Sequence, residues 1–157
     1  MDAEFRSAVG GGVHQAVTFD TKAVPEGSRV SVMERTGHDG TRIELRVRGI
    51  EAGRTFGAHV HTKPCGSAPD ASGPHYQNVK DPKQPSMDPK YANARNEVWL
   101  DFTTDKQGKG GSDTTVKWSF RAGEARSVVI HEHGTETTPG HAGMAGARLA
   151  CVNVAFE

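Results

Sequence analysis

Residues 54–62 read RTFGAHVHT. Phe56, Ala58 and Val60 alternate with Gly57, His59 and His61. In a β-strand, side chains two apart project from the same face. The segment therefore reads as a strand with one apolar face and one face carrying two imidazoles. The apolar face calls for a core. The imidazole pair raises the question of a metal.

The same period of two recurs outward in both directions. HQAVTFD (14–20) fits a first strand. Residues 28–50 fit a hairpin whose turn is GHDG: Val30, Val32 and Glu34 alternate before it, and Ile43, Leu45 and Val47 after it. Beyond the quoted strand come EVWLDFTTD (97–105), TTVKWSF (114–120), RSVVIHEH (126–133) and RLACVNVAF (148–156). In the first of these, Val98, Leu100 and Phe102 alternate with Glu97, Trp99 and Asp101. About eight strands and no convincing helix indicate an all-β sandwich or a closed barrel. Residues 1–13, rich in glycine and small side chains, are expected to be a flexible lead-in, and residues 14–157 one β-domain.

Residues 63–94 differ from their surroundings. They carry six of the eight prolines, which argues for a long ordered loop and against a sheet. A loop of that length inside a small domain is usually functional.

Bulk properties remove several classes of function. Lys plus Arg and Asp plus Glu balance at 19 each, so there is no electrostatic case for a nucleic-acid or polyanion partner. Only 34% of residues are hydrophobic, and no stretch approaches the length of a membrane span. The opening MDAEFRSAVGGG lacks the apolar centre of an export signal. The two cysteines, Cys65 and Cys151, match neither a zinc-ribbon nor a redox CxxC spacing. They are either two reduced core residues or a disulfide. A bridge would close more than half the chain into a loop, worth about 4 to 5 kcal/mol in the chain-entropy model, and would imply an oxidising compartment.

Eight histidines remain. His14 at a strand start and His38 in a hairpin turn read as solvent-exposed polar residues. His59 and His61 share a face, which alone is also compatible with a polar exterior. His75 lies beside Gly and Pro in the long loop. His131 ends the apolar run SVVIH, where a side chain can be held rigidly, and His133 shares its face if that strand continues. His141 sits among glycines. Converging neutral imidazoles suit copper or zinc. With no thiolate to spare, copper fits better.

The order of motifs carries a resemblance. GAHVHTKPCG, GPHYQN, DFTTDKQGKG, SVVIHEH and GARLAC follow one another as in copper–zinc superoxide dismutases, over roughly residues 14–156. The resemblance implies a flattened eight-stranded Greek-key β-barrel of immunoglobulin-like sandwich architecture, with long metal-site loops. It implies His59, His61, His75 and His131 as ligands of one copper ion per chain. It also implies a Cys65–Cys151 disulfide, and Arg148 as the arginine that attracts superoxide above the metal. His75 would be the bridging histidine, detaching and taking up a proton during turnover.

The chain departs from the family at the zinc site. Residues 76–130 contain no histidine, and Arg95 and Val98 fall where the last zinc ligands are aligned. A loop offering Asp81 and Asp88 without an imidazole is a poor zinc site. A copper-only member is therefore expected, with His133 and His141 as the remaining candidates for a second metal. The outer nitrogen of His75 then needs another partner, and Glu97 and Asp101 are candidates. Lys63 reads as a solvated lysine.

The resulting expectation is a copper-dependent superoxide dismutase. The alternative is a copper-binding or copper-delivery module on the same fold, which would need neither an open metal position nor Arg148. An extracellular, periplasmic or cell-surface location is expected from the cysteines. A homodimer is left open.

Overall fold

The computed structural model describes residues 1–10 and 14–157. Its strands are β1 (Asp2–Ser7), β2 (Ala16–Thr18), β3 (Arg29–Gly37), β4 (Gly40–Arg48), β5 (Thr55–His61), β6 (Phe102–Thr103), β7 (Gly110–Val116), β8 (Ser127–His131) and β9 (Arg148–Asn153). Among the described residues the helical content is one 3-10 turn at Pro69–Ser72. The strands form one sheet in the order β6-β5-β8-β9-β2-β1-β3-β4-β7. β6 and β7 are joined by the short turn Thr104–Lys109, where Asp105 N–H donates to Lys109 O at 2.8 Å, so the sheet nearly closes on itself. The fold is the flattened Greek-key barrel, with nine strands in place of eight.

The ninth strand is β1. It falls within the stretch expected to be a flexible lead-in, of which residues 11–13 lie outside the described residues. β1 pairs in parallel with β2 and antiparallel with β3. Phe5 is fully buried in the main core. One buried aromatic side chain contributes roughly 2 to 3 kcal/mol, enough to tether a short polar strand.

Alternation organises the core as expected. Val30, Val32, Ile43, Leu45, Phe56, Ala58, Val60, Val98 and Leu100 all point inward and are buried. The β3–β4 hairpin pairs Gly37 with Gly40, leaving His38 and Asp39 at its tip.

Two expected strands change their bounds. Residues 97–105 form a regular strand only at Phe102–Thr103. Leu100 N–H donates to Ala58 O at 2.7 Å, but the Asp101 carboxylate takes the Ala58 N–H at 3.1 Å and interrupts the ladder. β7 begins at Gly110, earlier than expected, because Gly110 and Gly111 serve close backbone packing. A β-carbon on Gly111 would lie 2.6 Å from Leu45 O. Trp118 and Phe120 leave the strand to pack on Tyr76, with ring centroids 5.6 and 4.9 Å from it.

The proline-rich loop is ordered by its anchors. Tyr76 is fully buried, its N–H donates to Val60 O at 2.8 Å, and its hydroxyl accepts the Arg121 N–H at 2.8 Å. Cys65 and Cys151 form a disulfide that ties this loop to β9. Of the two readings the sequence left open, the bridge is the one realised.

The disulfide links residues 86 apart. Replacing both cysteines by serine is expected to lower unfolding stability by about 4 kcal/mol. Denaturant unfolding of the variant beside the oxidised parent measures it, and an unchanged midpoint would refute it.

Candidate metal centre

β5 delivers His59 and His61 on the face opposite Phe56, Ala58 and Val60. Gly57 shares the imidazole face, and only a residue without a side chain fits there. A β-carbon on it would sit 2.6 Å from His133 O and 2.7 Å from the Ala145 methyl. β8 delivers His131 opposite Gly57, at a register shift between Ile130 and His131. Such bulges re-aim the side chain that follows. The long loop delivers His75 through an isolated bridge between His61 and His75. All four rings converge, with one nitrogen from each within 4.8 Å of the others.

Each ring has one nitrogen tied outward. His61 Nδ1 faces Gly73 O at 2.8 Å and His131 Nδ1 faces Gly146 O at 3.3 Å. A carbonyl only accepts, so both Nδ1 atoms carry the proton and both Nε2 atoms carry lone pairs. His75 Nδ1 donates to Glu97 Oε1 at 2.8 Å, leaving Nε2 unprotonated. The Thr135 hydroxyl donates to Asp101 Oδ1 at 2.8 Å, so at 2.7 Å it accepts from His59 Nε2. That leaves His59 Nδ1 as the lone-pair atom, and it is buried without a hydrogen-bond partner. Four lone pairs thus face one another. His61 Nε2 and His131 Nε2 stand 3.2 Å apart, two acceptors that cannot hydrogen-bond to each other. That gap is less than twice a metal–imidazole bond of about 2.0 Å. One cation can touch both. The donor set fits a copper ion.

The two carbonyl tethers come from glycines with positive φ, Gly73 at 70° and Gly146 at 80°. In that conformation an L side chain is strained, and a β-carbon on Gly73 would lie 2.9 Å from Thr62 Oγ1.

Both candidate carboxylates hold imidazoles, but not the same one. Glu97 is 1% exposed and serves His75. Its remaining capacity is filled by Trp99 Nε1 on Oε1 and Gln77 Nε2 on Oε2, each at 2.8 Å. Asp101, expected as an alternative partner of His75, instead serves His59 through Thr135. It also accepts the Thr135 N–H at 2.7 Å. Sequence reasoning missed Thr135, Gly73, Gly146, Gln77 and Trp99. The available signals were the glycine preceding Pro74 and His75, and the hydroxyl four residues beyond His131.

The other candidates lie elsewhere. His133 and His141 are exposed, because β8 ends at His131, and neither joins a metal-capable cluster among the described residues. Asp81 accepts from Lys83 N–H and the Ser86 hydroxyl within its own loop, and Asp88 accepts from Lys90 N–H. Arg95 is exposed, Val98 is in the core and Lys63 is exposed.

A cleft of ≈ 290 Å³ opens over His75 and His131, with Arg148 on its wall. Arg148 donates to Ser72 Oγ at 2.8 Å. His75, at 17% side-chain exposure, is the ring that reaches the cleft most openly.

Burial depresses three of the imidazoles. Desolvation, then repulsion from neighbouring rings, holds His59 and His61 well below 6.5 and brings His131 down to about 3. The unfolded chain therefore binds protons there that the folded chain does not, and stability falls as pH drops from 6.5 toward 3. Each such group contributes a slope of about 1.4 kcal/mol per pH unit within its window. The metal-free protein should lose stability steeply between pH 6.5 and about 4, and His131→Gln should flatten that slope. Urea midpoints across the range test this, and a midpoint independent of pH would refute it.

Comparisons with known proteins agree with this geometry. Residues 27–154 match the family model described as copper/zinc superoxide dismutase (SODC). No curated protein sequence matches significantly. Among solved structures, the chain is similar to a double mutant of a SOD-like protein from Bacillus subtilis, at 17% identity and a TM-score of 0.63, over 88% of this chain and 94% of that one. It is also similar to the Cu/Zn superoxide dismutase from Brucella abortus, at 18% identity and a TM-score of 0.56, over 98% and 96%. The match across most of the sequence, on a barrel of that fold with four converging histidines, means that the chain belongs to the copper/zinc superoxide dismutase family.

Proposed function

We propose that the protein is a copper-only superoxide dismutase, with one copper ion held by His59, His61, His75 and His131. One observation carries the reading: four rings, each with its outer nitrogen occupied, turn four lone pairs toward one point. Bound copper supplies one-electron redox chemistry, oxidising one superoxide to dioxygen and reducing a second, which takes up two protons, to hydrogen peroxide.

The protein's own residues divide the remaining work. Three rings are buried on strands and fixed. His75 faces the cleft and manages the proton. Its Nδ1–H stays on Glu97 while its Nε2 is free either to bind metal or to hold a proton. The buried Glu97 carboxylate stabilises that added charge and occupies the outer nitrogen, where the wider family places zinc. Zinc itself fits poorly beside His75. One carboxylate with both oxygens occupied, an indole and an amide do not make a tetrahedral zinc set. Arg148 gives the cleft positive charge on a chain whose net charge is zero, so attraction of the anion is local. The disulfide supports an oxidising location outside the cytoplasm.

Metal analysis with a dismutase assay tests the reading. About one copper and little zinc per chain are expected after reconstitution with both metals, and His131→Ala should lose copper and activity together. Full activity in that variant, or zinc at equal stoichiometry, would refute it. Arg148→Met should keep its copper while kcat/KM falls roughly tenfold at low ionic strength, with less dependence on salt than the parent. A variant as fast as the parent would remove Arg148 from the mechanism.

A further inference from the structure

Two methionines line the cleft that leads to His75 and His131: Met87 from the proline-rich loop and Met144 from the glycine-rich loop. Met144 is 44% exposed, although its backbone is held on both sides. Its N–H donates to His141 O at 3.0 Å and its carbonyl accepts the Glu136 N–H at 2.8 Å. The two loops are also joined to each other, through Gly140 N–H on Met87 O at 3.2 Å. The side chain is therefore exposed from a fixed backbone position on the wall of the cleft.

The chemistry of the cleft selects among cations. Its one carboxylate, Glu97, has both oxygens occupied by donors, so nothing hard and anionic is free to attract a dication. Arg148 on the wall repels a dication twice as strongly as a monocation. The free soft donors are two thioethers, which prefer Cu(I) and do not titrate. Methionine is unbranched and flexible enough to follow an ion inward.

We propose that Met87 and Met144 form an entry site that captures copper as Cu(I) and passes it to the four histidines. The proposal rests on the copper reading of the histidine cluster. The step is a ligand exchange: Cu–S contacts break as Cu–N bonds to His75 and His131 form, and no electron moves. The four imidazoles converge without needing a thioether, so the final site would be the same with or without the two methionines.

The test compares the parent with the double variant Met87→Leu, Met144→Leu, following uptake of Cu(I) from a coloured bicinchoninate complex. The variant should reach the same final copper content about tenfold more slowly, while uptake of aqueous Cu(II) is unchanged. In the parent, labelled methionine methyl resonances of Met87 and Met144 should shift on adding Ag(I), a redox-inert stand-in for Cu(I). The silver titration needs no variant, so it decides the matter if the double variant folds poorly. Equal Cu(I) uptake rates, or methyl resonances that silver leaves in place, would overturn the entry site while leaving the copper centre intact. A parent that takes up no copper in either state would instead overturn the copper reading and the entry site with it.

Discussion

The structure depends on a set of outward hydrogen bonds. An imidazole has two nitrogens, and one proton decides which is a ligand. Glycine carbonyls settle the matter for His61 and His131, a carboxylate for His75, and a hydroxyl backed by a carboxylate for His59. Burial then makes the arrangement costly to leave without a cation, since the facing lone pairs have no water-like surroundings to satisfy them. The barrel's contribution is rigidity. β5 and β8 are neighbouring strands in its sheet, so His59, His61 and His131 have little freedom to separate.

Within that set the four rings are not equivalent. Three lie on strands and are buried. His75 lies on a loop, reaches the cleft, and is the ring whose outer partner is a buried carboxylate hydrogen-bonded directly to it. In the proposed mechanism, which changes coordination, the loop would supply the movable ligand and the strands the fixed ones, and burial would keep the fixed three from competing for the proton.

Much of this was legible in the sequence. Period-two alternation in residues 54–62 placed Phe56, Ala58 and Val60 on one face and both histidines on the other, because the pleat leaves no other arrangement. The β3–β4 hairpin followed from the same rule and a glycine-flanked turn. Three things were not legible. Phe5 made a strand of an apparently loose leader, because one buried aromatic ring outweighs glycine-rich composition nearby. Glu97 and Asp101 were visible as carboxylates four residues apart on one face, but which imidazole each would hold depended on where the loop after β8 brought Thr135. The carbonyl tethers were invisible for a simpler reason: a backbone oxygen has no residue letter, and only the positive φ of Gly73 and Gly146 aims it.

The clamp around Asp101 has a mechanical meaning. Its carboxylate grips Ala58 N–H on β5 and both the N–H and hydroxyl of Thr135, so the loop is pinned where it leaves the barrel. It is pinned again at Gly143, whose missing β-carbon would stand 3.2 Å from the Ala92 methyl, and at Gly146. Residues 136–141, strung between these points, are all exposed. Insertions and deletions confined to that span leave the tethers of the four imidazoles in place, and the entropy of closing the longer loop grows slowly with length. A single residue added on either side of it would turn an imidazole away from its neighbours. A change of length is thus best absorbed by six residues that stand apart from the four imidazoles.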